Sequence, residues 1–214
     1  MRLLSILAIS LLSVTAFAQT TWYVSPTGTG NGTSAATPLG SIQAAINAAS
    51  SNDIIELSSG TYSGSQFYGN TISGKSLTIR GDLNSPKPIV NGLGQDYFFL
   101  QCGPATAITI TNLALSSFVR PSSLFGAIRV HQVGTAHITD LDISNCVTSG
   151  FGGAIFVDGT TNVSIESCSF SMNSVVSGPA GVGYGGAVCF MGAGINGGEA
   201  SISDSTFVSN TSGI

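Results

Sequence analysis

Three ionisable side chains of this 214-residue chain are spaced so that they could act together on one ligand: Arg129, His131 and Asp158. A repeat described below places His131 and Asp158 at equivalent positions of neighbouring units. Because side chains alternate between the faces of a strand, all three are predicted to point away from the apolar interior. They would supply a base and a cation, as a polysaccharide lyase requires. They could equally be polar side chains of a hydrated sheet face.

The outward face is predicted to carry two columns of side chains, with one residue from each unit. The columns are Gln101, Arg129, Phe156 and Cys189, and Gly103, His131, Asp158 and Met191. A glycosidase needs two carboxylates about 5 to 9.5 Å apart, and Asp158 has no carboxylate partner in its column. The pattern therefore gives candidates for catalysis but establishes no catalytic residue.

Acidic residues elsewhere do not form a metal-ligand set. Asp140 and Asp204 occupy the same bend of two units, but Ser167 holds that position in the unit between them. A Ca²⁺ site needs several acidic oxygen ligands, and the cysteine spacing matches no zinc site. We therefore expect structural roles for Asp140 and Asp142 and no cofactor, with Ca²⁺ left open as an alternative that the spacing does not support.

The elements that must position the candidates form a repeat of about 27 residues. Its anchors are four isoleucines at spacings of 28, 27 and 37, namely Ile110, Ile138, Ile165 and Ile202. Two residues after each anchor stands a residue suited to a tight bend: Asn112, Asp140, Ser167 or Asp204. Ten residues before the first three anchors, and fourteen before the last, stand Leu100, Ile128, Ile155 and Val188.

Each unit holds three short strands, which cannot bury their apolar faces alone, so the units must stack in register about 4.8 Å apart. A β-sandwich would not require a bend residue at one offset in every unit. The sequence therefore predicts an all-β fold, a single-stranded right-handed parallel β-helix of about five rungs over residues 63–214.

The segment 19–62 is predicted to form a strand, a loop and a short capping helix. Apolar residues between Leu39 and Ala49 have helical spacing, and Ser41 can cap the amino end. A single amphipathic helix ahead of a strand series is suited to cover the apolar end of the stack.

Residues 1–18 have the features of a secretory signal peptide. Arg2 precedes an apolar run from Leu3 to Leu12, and Ala16-Phe17-Ala18 resembles a cleavage site. No later segment is long and apolar enough to span a bilayer. The predicted location is therefore extracellular, either secreted or on the cell surface.

The charge balance narrows the choice of partner. Charged residues are 7% of the chain, and six Lys and Arg face ten Asp and Glu. A nucleic-acid-binding domain requires a basic excess, so no nucleic-acid partner is expected. Outward Ser and Thr columns would explain how so few charges suffice for a folded chain.

The cysteines and the glycosylation sequons give less information about structure and function. Cys102 and Cys168 are predicted to point inward, Cys146 lies near a bend and Cys189 points outward, so no disulfide pairing is assigned among the three that four cysteines allow. Asn31, Asn162 and Asn210 begin glycosylation sequons, which would matter in a eukaryotic source.

Several motifs resemble those of known families. Residues Trp22 to Tyr62 look like the entry cap of secreted pectin-lyase-like right-handed β-helices. The Gly-Gly-Ala-Ile motif at 152–155 is paired with Phe170-Ser171-Met172-Asn173, and the Gly-Gly-Ala-Val motif at 185–188 with Phe207-Val208-Ser209-Asn210, whereas Gly126-Ala127-Ile128 lacks one glycine. The paired Gly-Gly-Ala and Phe-x-x-Asn motifs are similar to repeats of chlamydial-type polymorphic outer membrane proteins. This resemblance implies a β-helix and a role in adhesion. The signatures of polygalacturonases and pectinesterases are missing.

Two functions follow as expectations. The first is a non-catalytic adhesion or binding module for glycans or another surface. The alternative is a polysaccharide-active enzyme, pectate-lyase-like or a glycoside hydrolase, that uses the Arg129, His131 and Asp158 face. The sequence given stops where another unit would begin, without a polar cap, so we also expect a longer gene product truncated at this point or end-to-end self-association.

Overall fold

The computed structural model describes residues 18–121, 123–176, 183–192 and 198–213. The predicted signal peptide lies outside the described residues apart from Ala18, as does most of the glycine-rich loop after Gly192. The chain forms an all-β parallel solenoid with one short α-helix, which confirms the predicted fold class. No helix in the described part has the length and apolar character needed to cross a bilayer.

Three parallel sheets run along the solenoid. Sheet A contains β1 (Thr21–Val24), β2 (Ile54–Leu57), β3 (Thr61–Tyr62), β5 (Leu77–Gly81), β6 (Ile89–Asn91), β8 (Ala105–Ser116), β11 (Val133–Ser144), β14 (Asn162–Glu166), β15 (Ser169–Ser171), β18 (Ala200–Ser203) and β19 (Thr206–Val208). Sheet B contains β4 (Asn70–Ile72), β7 (Leu100–Cys102), β10 (Ile128–His131), β13 (Ile155–Asp158) and β17 (Val188–Met191). Sheet C contains β9 (Val119–Arg120), β12 (Val147–Thr148), β16 (Ser174–Val175) and β20 (Thr211–Ser212).

The solenoid has about four turns, where the sequence predicted about five rungs. The reason lies in sheet C, whose strands begin at β9. Within the described residues, the rung formed by β4, β5 and β6 therefore has no strand in sheet C. Only the later rungs have strands in all three sheets.

The predicted register is confirmed along sheet A. Ile110, Ile138, Ile165 and Ile202 pair in sequence. The predicted bend residues all have left-handed backbone angles, with φ between 49° and 54°, at Asn112, Asp140, Ser167 and Asp204. A second column of left-handed residues, which the sequence did not reveal, directly follows β8, β11, β15 and β19 at Ser117, Asn145, Met172 and Ser209.

The capping helix α1 spans Ile42–Ala48, inside the predicted segment. It begins later than the spacing suggested because Leu39 pairs with Val24 as an isolated bridge. The Ser41 hydroxyl accepts a hydrogen bond from the Ala44 N–H, as predicted. Ile42 and Ile46 are buried against the solenoid, so the helix covers the amino end of the core.

Two further features hold this end together. A 3₁₀ helix at Ser65–Phe67 packs against α1. The Lys75 ammonium donates to the carbonyl oxygens of Ile46 and Ala49 at 2.9 and 2.7 Å. These bonds satisfy carbonyl groups that a helix leaves free at its carboxyl end.

The buried side chains that the structure describes are mostly apolar, and the polar ones among them include a ladder of amides. Asn173 is fully buried, donates to the Ile143 carbonyl and to Asn210 Oδ1, and accepts from the Cys146 N–H. Asn173 and Asn210 are the last residues of the two Phe-x-x-Asn motifs, so the motif marks a bend held from inside. Buried amides of this kind are stable only when paired.

Candidate functional site

The outward face of sheet B brings the three predicted residues together. β10 and β13 pair so that Arg129 lies beside Phe156 and His131 lies beside Asp158. The column continues to Gln101 on one side and Cys189 on the other, as predicted. β10 and β13 are held against the core, because their inward residues are completely buried: Ile128, Val130, Ile155 and Val157.

Arg129, His131 and Asp158 form one closed polar network. Arg129 Nε donates to Asp158 Oδ1 at 3.1 Å, and Arg129 Nη2 donates to Asp158 Oδ2 at 2.8 Å. His131 Nδ1 lies 2.6 Å from Asp158 Oδ2. Both oxygens of the carboxylate are therefore engaged, and the guanidinium approaches it in the two-pronged geometry that makes such pairs strong.

Aromatic rings surround this network, and the sequence reasoning placed only Phe156 among them. The Arg129 guanidinium carbon lies 5.4 Å from the ring centre of Phe125 and 5.9 Å from that of Phe156. Phe156 points outward as predicted, yet it is only 5% exposed. Its ring lies against Phe151, with centres 5.1 Å apart and planes 20° apart.

The aromatic residues recur from rung to rung. Phe125, Phe151 and Tyr184 pair across neighbouring rungs, and the rings of Phe151 and Tyr184 are 5.8 Å apart and parallel within 7°. Each of these residues stands directly before a glycine of the Gly-Ala or Gly-Gly-Ala motif. That position is the signal by which the sequence could have revealed them.

A second arginine, Arg120, also contacts the ring of Phe125. The Arg120 guanidinium carbon lies 5.1 Å from the Phe98 ring centre and 4.5 Å from that of Phe125, and its Nη1 donates to the Phe125 carbonyl. Burial lowers the pKa of Arg120, although Asp96 opposes this change. Each such contact of a cation with a ring stabilises by about 0.5 to 2 kcal/mol.

An open cleft of about 460 Å³ lies beside the network of Arg129 and Asp158, and we call it the aromatic cleft. Its lining includes Leu124, Phe125, Phe151, Phe156, Arg129 and Asp158. Leu124 is 66% exposed at its mouth. The cleft thus joins an apolar wall to one paired charge, which is the usual composition of a small-ligand site.

Asp140 and Asp142 both contact one lysine. Lys87 Nζ donates to Asp140 Oδ1 and to Asp142 Oδ2, each at 2.8 Å. Burial opposes the charge of Lys87, but these two bonds outweigh it and raise the pKa of the ammonium. The described residues contain no group of three side chains arranged to ligate a metal. His137 is exposed, and its Nδ1 is hydrogen-bonded to the Ser164 hydroxyl at 2.9 Å.

The four cysteines are free thiols in this structure. Cys102 and Cys168 are buried and Cys189 is half-buried. Cys146, predicted to lie near a bend, follows the left-handed Asn145 and is itself fully buried. Burial raises the pKa of the Cys102 and Cys146 thiols to about 12, so neither is suited to act as a nucleophile.

The glycosylation sequons differ in their surroundings. Asn31 and Asn162 are exposed. Asn210 is not fully accessible, and its Nδ2, the atom that would carry a glycan, donates to the Phe170 carbonyl at 2.9 Å. A glycan at Asn210 would therefore have to break the interior amide ladder.

Comparison of the chain with family models, with curated proteins and with solved structures found no match. The parallel solenoid itself is observed in the structure. The resemblances to pectin-lyase-like proteins and to polymorphic outer membrane proteins therefore depend on the quoted motifs.

Proposed function

We propose that this protein is an exported β-helix module that binds glycans or another surface without catalysing a reaction. The observation that carries the proposal is the aromatic cleft, an open apolar site whose polar residues are already paired with one another. The resemblance of the Gly-Gly-Ala and Phe-x-x-Asn motifs to those of surface adhesins is in agreement with this role.

The chemistry of the network favours binding over catalysis. A carboxylate that acts as nucleophile or general acid needs a free oxygen directed at the substrate. Both oxygens of Asp158 instead accept hydrogen bonds from Arg129, and one also contacts His131. The side chain of Asp158 is only 17% exposed, so it could react with a substrate only by giving up its bonds to Arg129, whereas an additional hydrogen bond from a ligand would leave those bonds in place.

One observation favours the alternative, a polysaccharide lyase or glycoside hydrolase. The 2.6 Å contact of His131 Nδ1 with Asp158 leaves Nε2 as the ring nitrogen able to accept a proton. The His131 side chain is 30% exposed. A base held by a carboxylate in this way is a common arrangement in active sites.

A binding panel and a turnover assay on the same protein separate the two functions. We expect saturable binding to some glycans, with neither new reducing ends nor the ultraviolet absorbance of an unsaturated product. Turnover that is lost in Asp158→Ala but kept in Glu56→Ala, an equally exposed carboxylate on sheet A, would establish the enzyme instead. Absence of binding to every glycan and cell surface tested would refute the proposal.

Export has its own test. If residues 1–18 are a signal peptide, the protein recovered outside the producing cell begins at Gln19. Amino-terminal sequencing of that protein checks the cleavage site. Retention of Met1 on the exported chain would show that the segment is not removed.

A further inference from the structure

The wall of the aromatic cleft is suited to the apolar face of a sugar ring. The rings of Phe125, Phe151 and Phe156 line the cleft, and Leu124 extends this apolar surface to its mouth. A pyranose ring presents a face of C–H groups, and covering that face with aromatic rings removes apolar surface from water. The volume of about 460 Å³ lies within the range of small-ligand sites.

The polar edge of the cleft offers a donor beside an acceptor. Arg129 presents N–H groups and Asp158 presents carboxylate oxygens within 3.1 Å of each other. Neighbouring hydroxyls of a sugar both donate and accept, so they can bond the two side chains at once. A ligand with hydroxyl groups therefore complements this edge without needing a charge of its own.

The charges at the polar edge of the cleft favour the binding of neutral sugars over acidic ones. Arg129 and Asp158 carry opposite charges, which cancel at the cleft. The carboxylate of a uronic acid would approach Asp158 as well as Arg129, and like charges brought together are unfavourable. A neutral sugar meets no such repulsion.

We propose that the aromatic cleft binds a neutral hexose of a glycan, with its C–H face on the aromatic wall and its hydroxyls on Arg129 and Asp158. This inference depends on the proposed glycan-binding function and names its site and its ligand class. It also sets the chain apart from the polyuronate-binding proteins that a pectin-lyase-like fold suggests.

The first test replaces one exposed leucine inside the cleft and one outside it. Leu124 and Leu83 are 66% and 64% exposed, so Leu124→Asp and Leu83→Asp change the surface to a similar extent without disturbing the core. Calorimetric titration with neutral oligosaccharides should show binding weakened about tenfold or more by Leu124→Asp, and unchanged by Leu83→Asp.

The second test changes the charge of the edge. Asp158→Asn leaves Arg129 unopposed, so the variant should bind uronate-containing oligosaccharides about tenfold better relative to neutral ones than the wild type does. Glu56→Gln makes the same change to the matched pair on sheet A and should leave this preference unaltered.

The outcomes distinguish this inference from the function on which it depends. Wild-type binding to polyuronates in preference to neutral glycans would overturn the neutral-sugar assignment while leaving a glycan-binding module in place. Equal affinity of Leu124→Asp and the wild type for a neutral glycan would overturn the cleft as the site. Absence of all glycan binding would remove the proposed function and this inference together.

Discussion

Two arginine–carboxylate pairs of this solenoid have nearly the same exposure and different surroundings. Arg80 and Glu56 on sheet A are 27% and 17% exposed, while Arg129 and Asp158 on sheet B are 25% and 17% exposed. Both nitrogens of Arg80 that bond Glu56 reach the same oxygen, Oε2. Arg129 instead occupies both oxygens of its partner.

The neighbours of the two pairs differ more than the pairs themselves. Arg80 lies beside Thr111 in its column and close to a second carboxylate, Asp82. Arg129 lies over two aromatic rings and contacts His131. Equal exposure therefore does not mean equal function: one pair links strands at the surface, and the other forms the polar edge of an apolar cleft.

The largest expected difference between the two pairs is in stability. Arg129→Met removes two charged hydrogen bonds and two ring contacts and leaves Asp158 without its cation, so we expect the free energy of unfolding to fall by about 2 to 3 kcal/mol. Arg80→Met removes a surface pair and should cost about 1 kcal/mol or less. Urea unfolding of the two variants and the wild type measures both values.

Methionine is the replacement in both variants because it keeps a long, flexible apolar side chain. The difference between the two losses therefore reports the surroundings of each arginine. Losses of equal size would contradict the view that the aromatic rings and the two-oxygen contact strengthen the sheet B pair.

A smaller loss of stability is expected when one aromatic ring is removed and both arginines are kept. Phe125 contacts Arg120, Arg129 and Phe98, with centres or guanidinium carbons between 4.5 and 5.5 Å from its ring centre. Phe125→Leu keeps an apolar side chain but removes these contacts, so unfolding should become easier by about 1 to 2 kcal/mol.

The matched control at the Arg80–Glu56 pair is Tyr23→Leu. Tyr23 pairs with Glu56 and so stands in the column of the Arg80 pair. No ring contact with a cation is present at Tyr23 in the described part of the chain, and we expect a loss of about 0.5 kcal/mol. If Tyr23→Leu costs as much as Phe125→Leu in thermal unfolding, the rings have no special role at the cleft.

The fold could be predicted because the repeat constrains it. Stacked strands must keep one register, so Ile138 and Ile165 had to pair, and the same register placed His131 beside Asp158. Bend residues such as Asp140 were visible because few residue types adopt left-handed angles. The sequence thus predicted the strands and the relative positions of outward side chains on them.

What lay outside the strands could not be predicted in the same way. Phe125 and Phe151 stand at bridges between short strands, where segments of unequal length join sheet C to sheet B. Lys87 reaches Asp140 and Asp142 from a loop whose path the repeat does not determine. The aromatic wall of the cleft was therefore missed, although its polar edge was found.

The smallest expected effect is on the pKa of Asp82, a carboxyl group close to Arg80. Asp82 Oδ2 accepts from the Ser85 hydroxyl at 2.5 Å, and Oδ1 accepts from the Asn84 N–H at 2.9 Å. The Ser85 bond is the main cause of the lowered pKa of Asp82, and Arg80 adds to it. Ser85→Ala should therefore move the pKa of Asp82 upward toward its ordinary value, as NMR titration of the carboxyl carbon can measure.

The sign of the accompanying pH effect follows from linkage. Because the folded state lowers the pKa of Asp82, the stabilisation is present above the unfolded pKa of about 3.9 and is lost as pH falls through the lower folded value. Ser85→Ala should reduce this acid dependence, whereas Ser58→Ala, whose hydroxyl lies 3.3 Å from the Tyr62 hydroxyl in the same region, should not. An unchanged titration of Asp82 in Ser85→Ala would contradict the Ser85 hydroxyl as the main cause and leave the Asn84 N–H as the larger one.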